Sequence, residues 1–383
     1  MSMPAAGATD TPAMEPLRVL HFVSGGFSGA TQVAIELVSA ACRAGSSVKP
    51  LLVLRRKRKT DPARVMALQA TIPVETVPGW AHAATVSSLV AVCQRFQPDV
   101  LVAHGFSEHL LGRYAGLLAK VPVLIHVEHN SRERYTPWRL AQARWLARRT
   151  TQIVGCSEGV RKRLLELGFP ADITTAIPNG IRLEPFEGAE QHPFAERVPG
   201  IVMSARFSGQ KDHATLLKAI ALLAEKGMKP PVLLAGGGKA SARRRAERLT
   251  AQLGIAGQVR FLGFCDHVPR LLMTHQIAVL STHYEGMPLA LVEAMAAGCA
   301  VVGSDVVGVS ELIEDGDNGR LVPESDPAAL AEVLHQLLRD PITAAGLAAR
   351  GRAAALSKHS REIMTARYES LFMDLAETSK RSS

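Results

Sequence analysis

Short runs of β-branched residues and leucine alternate with amphipathic helical patterns along this chain, and the alternation runs twice. In the first half the spacing predicts strands over 18–23, 48–54, 100–103, 123–127 and 152–155. Helical patterns fall between them at 31–43, 86–95, 108–119, 137–149 and 157–167. Val33, Leu37 and Ala41 share one face at helical spacing. Continuously apolar strands separated by helices require a parallel sheet covered on both faces. The pattern restarts with strands over 201–205, 232–235, 259–262, 277–280 and 301–303. Helices are predicted at 211–224, 240–253, 268–273, 288–297 and 327–338. The fold class is therefore α/β, with two doubly wound, Rossmann-like domains facing across a cleft.

The expected division is a loose tail over 1–16, an N-terminal domain over 17–185, a C-terminal domain over 186–358 and a final segment over 359–383. The stretch 178–200 is rich in Pro, Gly and Glu and reads as the linker. The last helical pattern, 361–376, is expected to pack back across the linker onto the first domain. At 383 residues and 47% apolar, the chain has material for two cores. The 1–16 stretch lacks the apolar centre of a secretory leader. No run of about 18 apolar residues is present to span a bilayer. Five scattered cysteines without a C-x-x-C pair fit reduced thiols, so the expected location is the cytoplasm.

The net charge of +9 is uneven. Residues 1–185 carry 22 Lys and Arg against 13 Asp and Glu, whereas the remainder balances at 22 of each. Much of the excess sits in Arg55-Arg56-Lys57-Arg58-Lys59 and between Arg132 and Arg149. A basic face suits an anionic partner such as a charged glycan or membrane headgroups. The expected docking element is the run at 55–59 on an anionic inner leaflet; no nucleic-acid partner is expected.

Open α/β sheets bind ligands beyond the carboxyl ends of their strands. Residues at those ends are therefore the candidates. After the first strand come Gly25 and Gly26, which permit close backbone approach. His104 and His129, followed by Asn130, end two further strands of the first half. After the first strand of the second half come Arg206 and Lys211, two cations able to converge on a diphosphate. Gly236-Gly237-Gly238 is another tight turn. Glu285-Gly286-Met287-Pro288-Leu289 leads into a helix that carries Glu293. Pro is tolerated in a first helical turn, so Glu285 reads as a loop carboxylate beside free backbone N–H groups.

In order and spacing these pieces resemble glycosyltransferase family 4, retaining nucleotide-sugar transferases of the GT-B fold. The match includes Gly25-Gly26, Pro178-Asn179-Gly180-Ile181, Arg206 with Lys211, Phe261-Leu262-Gly263, Glu285 to Glu293 in an E-x7-E spacing, and Gly308-Val309-Ser310-Glu311. It spans roughly 18–340. The resemblance implies that Arg206 and Lys211 hold the donor diphosphate. Glu285 would contact donor-sugar hydroxyls and Glu293 the ribose, with Gly25, Gly26, Gly237, Gly286, Met287, Pro288 and Leu289 lining the donor site. On the acceptor side stand His104, His129 and Asn130, with His129 counted among the catalytic residues together with Glu285, Arg206 and Lys211. His126 shares the strand before His129, and spacing does not choose between them. The partners implied are a nucleotide-diphosphate sugar, expected to be UDP-linked, and a saccharide or lipid-linked acceptor in cell-surface polysaccharide or glycolipid assembly. No cofactor and no metal are expected, because Arg206 and Lys211 supply the positive charge. A nucleotide-sugar epimerase, a transferase acting on a small free acceptor, and a non-catalytic binding protein are the competing readings.

Overall fold

The structure, a computed structural model, describes residues 15–58, 60–132 and 135–382. Most of the expected tail, and Lys59 of the basic run, lie outside them.

The first sheet contains β1 (Leu17–Ser24), β2 (Val48–Arg55), β3 (Val74–Val77), β4 (Val100–His104), β5 (Val123–Glu128), β6 (Gln152–Gly155) and β7 (Thr174–Ala176). Their spatial order is β3-β2-β1-β4-β5-β6-β7, and every pairing is parallel. Helices α1 (Gly29–Ala41), α2 (Pro62–Gln69), α3 (His82–Phe96), α4 (Glu108–Leu118), α5 (Pro137–Ala147) and α6 (Glu158–Glu166) cover both faces. The pleat of β1 divides the core. Leu17 and Val19 pack on one side with Val33 and Leu37 of α1, while Leu20 and Phe22 pack on the other with Leu89 of α3 and Leu111 of α4.

The second sheet contains β8 (Val198–Ser204), β9 (Val232–Ala235), β10 (Val259–Gly263), β11 (His275–Leu280), β12 (Ala300–Ser304) and β13 (Arg320–Val322), in the order β10-β9-β8-β11-β12-β13. Around it lie α7 (His213–Glu225), α8 (Ala240–Gln252), α9 (Val268–Met273), α10 (Leu289–Ala296), α11 (Pro327–Arg339) and α12 (Pro341–Lys358). α13 (Arg361–Ser382) then returns to the first sheet, burying Met364, Tyr368, Phe372 and Ala376 against β1, β4 and β5. Its apolar residues recur every four positions, so one stripe faces the core.

The two chain crossings touch each other. Ile181 N–H donates to His359 O at 2.9 Å, and Arg361 N–H donates to Ile181 O at 2.7 Å. A Cβ on Gly180 would meet Ser360 O at 2.2 Å, so only glycine fits between the strands of the crossing.

Both sheets reverse strand order beside their first strand, between β1 and β4 and between β8 and β11. A crevice opens at the carboxyl ends there. The sequence reading missed α2, β3, β7, β13 and α12. The missed strands are three or four residues long at or beside a sheet edge, too short for an alternation to register. In α12 the buried residues are mainly alanine, which carries little hydrophobic contrast; Asp340 fixes its start by accepting from Ile342 and Thr343 N–H.

Candidate active site

The crevice encloses about 870 Å³, walled by the β1–α1 and β4–α4 loops on one side and the β8–α7, β9–α8 and β11–α10 loops on the other.

The C-terminal wall is built around one buried ion pair. The loop after β11 is laced to 210–212: Asp212 N–H donates to Ser281 O at 3.0 Å and His283 N–H to Gln210 O at 3.0 Å. Asp212 also caps α7, accepting from Thr215 N–H at 3.1 Å. This lacing leaves the Lys211 ammonium hydrogen-bonded to Glu285, which also accepts from Thr282 Oγ1 at 2.7 Å. Only 12% and 8% of the Lys211 and Glu285 side chains are exposed. Arg206, at the end of β8, is exposed on the same wall and makes no ion pair among the described residues. Gly236 and Gly238 have φ of +152° and +129°, and a Cβ on either would strike the backbone of Ala205 or Phe207. Gly237 between them has open space at its Cβ position and lines the cavity. Gly286, Met287, Pro288 and Leu289 line it as well.

Glu293, one turn into α10, is not among the cavity-lining residues. It is half-buried, and desolvation pushes its carboxyl up to about 7 against a smaller downward pull from Arg182. Gly25 is likewise not in the lining, because its N–H is committed to Arg55 O at 2.9 Å; Gly26 faces the cavity.

The N-terminal wall is built from histidines. His104 Nδ1 and His129 Nε2 lie 3.1 Å apart, and both rings line the cavity, as does Asn130. His126 sits inside β5, fully buried and stacked on His109 at 4.0 Å. The histidine that faces the crevice is therefore His129, which follows the strand end.

The basic run does not lie wholly on the surface. Arg55 is buried and reaches Glu108 at 3.3 Å, and Lys57 reaches the same carboxylate at 2.9 Å. Lys57 and Glu108 form part of the crevice lining. Arg56 and Arg58 are exposed. Further cavity residues missed from sequence are Arg64, whose guanidinium sits 4.3 Å from the Phe27 ring and 5.8 Å from that of Phe264, and Asn179, whose buried Oδ1 has no hydrogen-bond partner among the described residues. The Pro178-Asn179-Gly180 motif was the available signal for Asn179.

Two groupings bear on metal binding. Ligand atoms of His109, His126 and Glu128 lie within 4.8 Å of one another. However, His109 Nδ1 meets the buried Arg113 guanidinium at 2.7 Å and its Nε2 meets Tyr135 Oη at 3.2 Å, so both ring nitrogens are engaged. A buried guanidinium also repels a cation. Sequence reading overlooked an Asp-x-Asp spacing, Asp315-Gly316-Asp317. It is absent from the cavity lining, and its carboxylates pair with Arg320 at 2.9 Å and Arg350 at 2.8 Å.

Residues 27–185 match the family Glycosyltransferase Family 4, and residues 187–354 match Glycosyl transferases group 1. The chain is a family 4 glycosyltransferase of the GT-B fold. The two matches meet within a residue of each other, between β7 and β8. The glycosyltransferase is 26% identical over 369 residues to the lipopolysaccharide core biosynthesis glycosyltransferase LpsE of Rhizobium meliloti (strain 1021), covering 92% of this chain and 98% of that one. It is 30% identical over 223 residues to EpsD of Bacillus subtilis (strain 168), covering 56% of this chain and 58% of that one. Among solved structures, Alr3699/HepE of Anabaena in complex with UDP and glucose superimposes with a TM-score of 0.81 at 20% identity, covering 94% of this chain and all of that one.

Proposed function

We propose that this glycosyltransferase moves a sugar from a UDP-sugar to a hydroxyl of a saccharide or lipid-linked glycan, with retention of anomeric configuration and without a metal ion. The observation that carries the reading is the pairing of walls: Arg206, Lys211 and Glu285 on one side, His104 and His129 on the other. On binding, the donor diphosphate draws Lys211 from Glu285 and gains Arg206, and the freed carboxylate accepts from sugar hydroxyls. The acceptor oxygen bonds to the anomeric carbon as the carbon–oxygen bond to UDP breaks. The electron pair leaves with UDP, whose phosphate oxygen takes the acceptor proton. The protein's share is positioning and stabilisation of charge on the leaving group. Glu293, behind the loop that carries Glu285, would serve the ribose once the donor is seated.

LpsE by its name builds a lipopolysaccharide core, which fits a membrane-bound glycan acceptor, and HepE was solved with UDP and glucose, which fits a UDP-sugar donor. Lys57 and Arg64 on the acceptor wall fit an acceptor bearing phosphate. Among the described residues no helix is long and apolar enough to cross a membrane. Membrane docking instead falls to α5 and the turn after it, which expose Trp138 and Trp145 with Arg139, Arg144, Arg148 and Arg149. Tryptophan and arginine together suit an anionic headgroup layer.

The test is turnover of a panel of UDP-sugars with lipid-diphosphate-linked saccharides in excess chelator, with the product anomer read by NMR. Retained configuration at full rate is expected. An inverted product, a need for added metal, or sugar isomerisation without acceptor would overturn the reading. Binding to anionic vesicles should weaken as salt rises and on Trp138→Ser with Trp145→Ser; salt-independent absence of binding would remove the membrane.

A further inference from the structure

Behind the N-terminal wall the histidines continue. His21 Nδ1, on β1, lies 3.0 Å from His104 Nε2, and His104 Nδ1 lies 3.1 Å from His129 Nε2. The rings meet edge to edge with their planes only 26° and 22° apart and centroids 5.3 Å and 5.4 Å apart. The far end of the row is closed by α13, whose Phe372 meets the His21 ring edge-on at 5.9 Å. His21 and His104 are each 1% exposed. Burial holds the His21 imidazole down to about 3 and that of His129 down to about 4, and it holds His104 well below the ordinary range. All three rings are therefore neutral at neutral pH, with one N–H each.

A row of neutral imidazoles joined nitrogen to nitrogen has few choices. Each junction needs one proton: two would clash, and none would leave two lone pairs facing. The three N–H bonds must then point the same way along the row. Only two arrangements satisfy both junctions. In one, each Nε2 carries the proton, so His129 donates to His104 and His104 to His21. In the other, each Nδ1 carries it. His129 Nδ1 is buried with no hydrogen-bond partner among the described residues. A proton there would be an orphaned buried donor, which proteins avoid. The Nε2–H arrangement leaves a lone pair at that atom instead.

We propose that His21 is a positioning residue that acts through His104 to lock His129 as its Nε2–H tautomer, which holds that neutral ring in one orientation on the acceptor side of the crevice. The part concerning the acceptor rests on the reading of the site as a glycosyltransferase centre; the tautomer lock does not. It also gives α13 a role at the site, since Phe372 backs the first ring of the row.

The test is long-range proton–nitrogen NMR on protein labelled with 15N-histidine, in which the two ring nitrogens report the tautomer directly. The wild type should show Nε2–H at His21, His104 and His129. His21→Phe keeps a ring against Phe372 but removes the junction, so His104 and His129 should become mixtures of both tautomers. His21→Asn places an amide oxygen near the old Nδ1 position to accept from His104 Nε2–H, and should restore the lock. With a UDP-sugar that turns over, His21→Phe should lower kcat about tenfold with donor KM unchanged, and His21→Asn should recover most of it. Unchanged His104 and His129 nitrogen shifts in a folded His21→Phe variant, or opposite tautomers at neighbouring rings in the wild type, would overturn the lock. A lock seen by NMR with no turnover of any nucleotide sugar would uphold it and reject the glycosyltransferase reading of the site.

Discussion

The two walls of the crevice solve different problems. The C-terminal wall presents charge: Lys211 and Glu285 are paired beside the cavity, and Arg206 makes no ion pair among the described residues. The N-terminal wall hides charge. Its histidines are neutral, and its one buried carboxylate in the lining, Glu108, is answered by Arg55 and Lys57. A charged wall suits a diphosphate, whereas a neutral polar wall suits hydroxyls that must be oriented without being ionised. The difference also explains what each wall tolerates. Loss of a charge from the first is expected to show in the reaction, and loss of one from the second in the stability of the fold.

The largest effect should come from the charged wall. Lys211→Ala and Arg206→Ala are each expected to cut kcat by about 10²-fold or more, as loss of an electrostatic donor does elsewhere. Steady-state kinetics at saturating UDP-sugar, with circular dichroism as the folding control, decides it; near-normal kcat in both would erase the contrast between the walls.

Next comes the hidden charge. Arg55→Ala leaves Glu108, whose side chain is 2% exposed, with the half-exposed Lys57 and the neutral Ser107 hydroxyl as its partners among the described residues, and should cost about 3 kcal/mol in chemical unfolding. A change near zero would mean that water already reaches this carboxylate.

Glu293 tests the boundary between walls and core. Its carboxyl titrates near 4.5 when unfolded and at about 7 when folded, because burial disfavours the charged form. The folded state therefore binds the proton more tightly. The stability this confers is complete below the unfolded value and is lost as pH rises through the folded one. Glu293→Gln should abolish that slope and stabilise the protein at high pH by on the order of 2 kcal/mol, discounted for partial exposure. Parallel stability profiles for the two proteins would refute a raised carboxyl.

The smallest effect belongs to the contact between domains. Glu311 accepts from Gly159 N–H at 2.6 Å and from Ser157 Oγ at 3.1 Å, capping α6 from across the interface. Ser157 itself still accepts from Val160 N–H, so Glu311→Ala should cost only about 1 kcal/mol. Small-angle scattering of the unliganded variant should report a wider crevice; an unchanged profile would assign closure to the tight approach of Gly286 to His129 O instead.

Legibility in the sequence divides along the same line. The C-terminal wall could be read because its parts are local: Arg206 and Lys211 are five residues apart, and Glu285 to Leu289 are contiguous. The N-terminal wall draws on His21, His104 and His129, which share a site only because β1, β4 and β5 lie side by side. The basic run shows the cost of reading charge without depth. Arg55 looks like its neighbours in sequence, yet it ends β2 and turns inward to Glu108, whereas Arg56 stays in water.

By itself the sequence determined the doubled α/β alternation, the crevice between two sheets and the charged motif on its C-terminal side, because hydrophobic periodicity and short-range spacing are properties of neighbours along the chain. Tertiary structure alone decided that His129 rather than His126 faces the crevice and that Glu293 stands back from it. It likewise decided that Lys57 lines the cavity and that α13 reaches the back of the histidine row. Each of these depends on which atoms meet across strands far apart in sequence, and burial and hydrogen-bond partners are set only once those strands have paired.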